Sequence, residues 1–116
     1  MPAKISLLEK LEAALSDTTG VYVSAGVDPA TYYAQLAADI RGNTHDPFPV
    51  SAVVMPPGFS DADVGDRIFG QCVAHGEGYW LVYQPEQETF YCFWGTDQSN
   101  LGARGVSGGP LYCWSA

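Results

Sequence analysis

Basic residues are scarce in this chain. Lys and Arg number 5 against 13 Asp plus Glu, for a formal charge of −8 over 116 residues. The five are Lys4, Lys10, Arg41, Arg67 and Arg104, scattered so that no basic stripe forms. Such a chain repels phosphate and anionic lipid, so the expectation is no nucleic-acid partner and no membrane. Paired cysteine is missing too. Cys72, Cys92 and Cys113 are odd in number, far apart, and include no Cys-x-x-Cys. That spacing suits neither a disulfide scaffold nor the close ligand pairs of structural zinc. Long apolar runs are also lacking. Nothing approaches the roughly 20 residues of a membrane helix. Acidic residues interrupt MPAKISLLEKLEAAL, where a secretory leader would be continuously apolar. These absences together predict a reducing, cytoplasmic setting, with the cysteines acting as small buried hydrophobes. Cys92 reads as core, and Cys113 as the more exposed thiol.

Charged residues are only 16% of the chain, while hydrophobic residues reach 47% and aromatics 13%. Disorder needs the opposite balance. A chain this long buries one core, so residues 1–116 read as a single domain.

The clearest pattern is a three-strand antiparallel meander from Ile68 to Gly95. IFGQCVAH, YWLVYQ and TFYCFWG are rich in β-branched and aromatic residues. They are separated by Gly76-Glu77-Gly78 and by Pro85-Glu86-Gln87-Glu88, both turn-forming. Ahead of the meander, Ala3 to Ser16 reads as a helix with Leu8, Leu11 and Leu15 on one side, Ile5 and Leu7 flanking. Asp28-Pro29 opens a second helix with an apolar stripe of Tyr33, Leu36, Ala37 and Ile40, ending at Gly42. Val21-Tyr22-Val23 and Val50 to Met55 read as strands, Asn43 to Pro49 as a connector, Ser60 to Asp66 as an acidic turn, Thr96 to Gly109 as a loop, and Pro110 to Trp114 as a last short strand. Helices at the front and strands behind predict α+β: two N-terminal helices packed on one face of a mostly antiparallel sheet of four to six strands. Both faces of the meander carry apolar side chains. Two helices cover one face, so the expectation is a partly open aromatic face.

Catalytic patterns fail on inspection. Counted from Asp61, the acidic turn places Asp66 at the sixth position and Cys72 at the twelfth, where a calcium loop needs glycine and glutamate. The glycine-rich segment from Gly95 to Gly109 lacks the Gly-Lys-Ser/Thr ending of a phosphate loop. Cys72 and His75 lie three apart on one strand and point to opposite faces. His75, at a strand end, is the best candidate base, and nothing in the spacing places it beside Cys92 or Cys113. No catalytic residue, metal or cofactor is therefore expected.

The remaining chemistry is acidic and aromatic, which predicts a non-enzymatic module that binds one basic protein partner, as monomer or homodimer. Asp61, Asp63, Asp66, Glu86 and Glu88 would steer the encounter. Asp97, Asn100 and Arg104 on the glycine loop and Tyr32 on the second helix would contact the partner. In its general build, small, acidic and α+β, the chain is similar to bacterial immunity proteins, which implies an inhibitor that occludes a toxin or effector. The alternative is a small-molecule binder or enzyme with its cleft at the 95–109 loop, using Arg104, His75 or a cysteine.

Overall fold

The computed structural model describes residues 3–56, 63–76, 78–86 and 88–115, with residues 3–6 and Arg104 described by backbone alone. The elements run α1 (Ala3–Ala14), α2 (Pro29–Gly42), β1 (Thr44–Val54), β2 (Arg67–His75), β3 (Tyr79–Gln84), β4 (Thr89–Trp94), β5 (Leu101–Gly108) and α3 (Pro110–Ser115). The class is α+β, and the five strands form a mostly antiparallel sheet closed into a barrel in the order β1-β2-β3-β4-β5. Each connection reverses the chain. With an odd number of strands the first and last therefore run the same way. The closing pair is parallel, Ala52–Val54 of β1 against Leu101–Ala103 of β5.

Closure explains why both faces of the meander are apolar. Val50, Ala52, Cys72, Trp80, Val82, Tyr91, Phe93 and Leu101 fill the interior. Their neighbours Val73, Leu81, Tyr83, Phe90 and Cys92 point outward and pack under the helices. The partly open aromatic face expected from the sequence is absent: the four central positions of both β3 and β4 are buried. The helices supply Leu7, Leu11 and Leu15 near α1, Ala37 and Ile40 on α2, and Leu111, Cys113 and Trp114 on α3. Leu7, rather than Leu8, heads the α1 stripe, and Cys113 is buried, not exposed.

Local chemistry fixes the ends. The Asp28 carboxylate caps α2 by accepting from the Thr31 N–H at 3.0 Å and its hydroxyl at 2.7 Å. Trp114 Nε1 donates to Asp39 Oδ2 at 2.7 Å and ties α3 to α2. Glu12 accepts from Arg41 Nη2 at 2.7 Å and ties α1 to α2.

Four local expectations fail. Pro110 to Trp114 is helical, because proline fits a first helical turn and Cys113 N–H reaches the Gly109 carbonyl at 3.0 Å. Residues 101–108 of the expected loop form β5. The expected connector lies largely in β1, whose Pro47 and Pro49 fall where that strand has β2 on one side only. A residue without an N–H is tolerated at such an edge. Val21 to Val23 forms no strand; Val21 packs on the core and Tyr22 is exposed.

Candidate functional site

The helices leave part of β1 and β2 uncovered. There Ser51 pairs with Phe69. Ile68 packs towards the barrel interior, so Phe69, next along the strand, points outward. Its side chain is 63% exposed. Two recesses flank it and share Pro49, Val50 and Phe69. One, of about 490 Å³, is closed on its far side by Gln84, Pro85 and Glu86 of the β3–β4 turn and contains Arg67. The other, of about 530 Å³, is closed by Asp97, Gln98 and Ser99 of the β4–β5 connection. Arg67 Nη1 donates to Ser51 Oγ at 3.0 Å, and Ser51 lines the second recess.

The Asp97 turn is rigidly built. Ser99 N–H donates to Asp97 Oδ1 at 3.1 Å, and Asn100 N–H to the Asp97 carbonyl at 2.9 Å. Those Ser99 contacts hold the Asp97 carboxyl below the ordinary aspartate value. Among the described residues neither Glu86 nor Asp97 forms an ion pair.

The structure thus brings Glu86 and Asp97 to opposite sides of one exposed aromatic ring. Asn100 closes the Asp97 turn. Glu88 shares the Glu86 turn, is exposed, and adopts a left-handed backbone with φ 51°. Asp63 and Asp66 lie apart from the two recesses, in a turn where Asp66 Oδ2 accepts from the Asp63 N–H at 3.0 Å. Tyr32 is half-buried on α2, next to Tyr33, and lines neither recess. Asp61 and the Arg104 side chain lie outside what the structure describes. Phe69 itself is the residue that sequence reasoning missed. Its signal is the company it keeps: Arg67 and Gln71 lie two residues either side on the same strand face, and polar neighbours mark a wet face.

A second cluster sits at one mouth of the barrel and gathers both histidines. Cys72 pairs with Val82, but Ala74 pairs with Leu81, so Val73 is an extra residue in β2. This bulge shifts the alternation by one. His75 therefore returns to the same side as Cys72, against the opposite-face expectation, and stacks on Trp80 at 4.3 Å with the planes 12° apart. His45 stacks on Phe48 at 4.8 Å, and its Nε2 lies 3.6 Å from Cys72 Sγ. A histidine thus stands beside a thiol in the pair His45–Cys72, which the sequence spacing does not suggest. His45 Nδ1 lies 2.8 Å from the Asp46 carbonyl. Since the carbonyl only accepts, Nδ1 carries the proton, and in the neutral ring Nε2 is left to accept. Burial pushes the Cys72 thiol up to about 12, so it faces His45 as a thiol rather than a nucleophilic thiolate. Among the described residues no three His, Cys, Asp or Glu side chains converge to hold a metal ion. Beside this cluster a groove of about 750 Å³ runs between His75, Trp80 and Gly95–Thr96.

No helix among the described residues is long and apolar enough to cross a membrane. No protein-family model matches the chain, and no curated protein or solved structure matches it.

Proposed function

We propose that this chain is a non-enzymatic binding module that docks a basic protein partner on the Phe69 face and acts by occluding it, in the manner of an inhibitor or immunity protein in a reducing cytoplasm. The observation that carries the reading is Phe69 itself, exposed between two recesses that each end in a carboxylate, Glu86 and Asp97. An aromatic anchor ringed by polar groups is the usual anatomy of a binding hot spot. The charge of −8 supplies long-range attraction for a basic partner.

The test compares capture from native-host lysate by the wild type and by Phe69→Ser, each checked for folding by circular dichroism. A basic protein retained at low salt by the wild type, weakened at high salt and lost with Phe69→Ser, supports the reading. Equal retention by both overturns it.

A second reading is a small-molecule site at the barrel mouth, favoured by the groove of about 750 Å³ beside the His75–Trp80 stack. This is the start of the glycine-rich segment. Saturable quenching of Trp80 by a small ligand, abolished in His75→Ala, would favour it.

A further inference from the structure

The two recesses beside Phe69 differ in chemistry. The Glu86 recess also contains Arg67, so its charges offset one another. The Asp97 recess has no basic residue in its own lining, and the nearby Arg67 guanidinium is engaged by Ser51 Oγ at 3.0 Å. Pro49 and the Phe69 ring supply its apolar wall, and its polar groups are Ser51 and, at the end, Asp97, Gln98 and Ser99. A ring face, an aliphatic wall and a terminal carboxylate are the three contacts a long basic side chain makes when its stem is covered and its charge is not.

We propose that the Asp97 recess receives an arginine side chain of the protein partner. The proposal rests on the Phe69 reading above and names what that face grips. The guanidinium plane lies on Phe69, the three-carbon stem runs along Pro49, and the planar fork meets the Asp97 carboxylate. Asp97 Oδ1 already accepts from the Ser99 N–H at 3.1 Å, and the Ser99 side chain also hydrogen-bonds the carboxylate, which together fix it in place. Arginine fits better than lysine, because its planar fork both stacks on a ring and engages a carboxylate in two directions.

The experiment uses the whole chain labelled with ¹⁵N, and the peptide acetyl-Gly-Arg-Gly-amide as probe. Its citrulline and lysine counterparts are the comparisons. Citrulline keeps the shape and planarity of arginine and removes the charge. The arginine peptide is expected to shift the Phe69, Asp97 and Ser99 amides saturably, with the lysine peptide weaker and the citrulline peptide weaker still. Asp97→Asn keeps the acceptor that closes the turn, so the fold is preserved. It is expected to weaken the arginine peptide by about tenfold, the loss of one charge-assisted hydrogen bond. Equal binding of the arginine and citrulline peptides, or of wild type and Asp97→Asn, overturns the proposal, as does a failure of the arginine peptide to shift these amides. The partner captured above separates the two ideas. Loss with Phe69→Ser but not with Asp97→Asn leaves Phe69 as the anchor and removes the arginine pocket. Loss with neither removes the docking face as well.

Discussion

Cys72 Sγ and His45 Nε2, 27 residues apart in sequence, meet at 3.6 Å where β1 and β2 close the barrel mouth. The pair has the composition of a nucleophile and its base, but not the electrostatics. Cys72 is fully buried, and loss of hydration pushes its thiol to about 12. Burial does the same to Cys92, also to about 12, and raises Cys113 further. All three thiols should therefore resist an aromatic disulfide reagent at pH 8 in the native protein, and react only as fast as the chain unfolds. Labelling with and without urea reads this directly. A thiol that reacts in the native protein at the rate of a free exposed cysteine would refute it.

Gly70 marks a close approach of β2 to β3 beside Phe69. A Cβ built there would stand 2.6 Å from Val82 Cγ1 and 2.8 Å from the Tyr83 carbonyl oxygen. Backbone cannot yield as a side-chain tip can. Gly70→Ala should thus cost about 1–3 kcal/mol, as overpacking in a tight core does, and should weaken amide protection along Gln71 to His75. Urea unfolding and hydrogen exchange measure the two effects. A variant as stable as the wild type would mean that the strands part without penalty.

These features divide by how far the chain reaches to make them. The meander and both N-terminal helices were legible because each depends on neighbours within a few residues: apolar periodicity, the Asp28-Pro29 cap, the turns after His75 and Gln84. Barrel closure was not, because the pairing of Ala52 with Leu101 joins segments far apart and leaves no mark in local pattern. Without closure, the apolar interior of β3 and β4 looked like a surface awaiting a partner. The Val73 bulge was hidden for the same reason, since nothing in IFGQCVAH distinguishes a bulged strand from a regular one. The 110–115 helix misled through its composition, where Leu, Tyr, Cys and Trp in so short a run suit strand and helix equally. At the candidate site, Glu86 and Asp97 could be named as exposed acids from their turns. That they flank one ring follows only from the folded geometry.

Glu88 carries backbone strain in the turn it shares with Glu86. Its φ of 51° lies in the left-handed region, and it is the one non-glycine residue there among those described. A side chain with a Cβ adopts that conformation at a cost of roughly 1 kcal/mol. Glu88→Gly should therefore raise stability by about 0.5–1 kcal/mol, and Glu88→Asn by somewhat less. Urea midpoints decide. A lower midpoint for Glu88→Gly would show that the turn is held by the glutamate side chain instead of strained by its backbone.

Acid should destabilise the fold through a small set of capping carboxylates. Thr31 holds Asp28 below the ordinary aspartate value, Thr19 does so for Asp17, and Ser99 for Asp97. A carboxyl whose folded value lies below its unfolded one releases its proton more readily in the native state. Its contribution to stability is complete above the unfolded value, near pH 4, and is lost as pH falls through that value to the lower folded one. Asparagine caps a helix or turn about as well as aspartate and does not titrate. The double variant Asp28→Asn, Asp97→Asn should thus match the wild type in urea midpoint near neutrality, and should lose stability less steeply below about pH 4. Urea midpoints collected from pH 7 to pH 2.5 for both proteins compare the slopes. Coincident acid limbs would mean that these caps hold their carboxylates no more strongly in the folded chain than in the unfolded one.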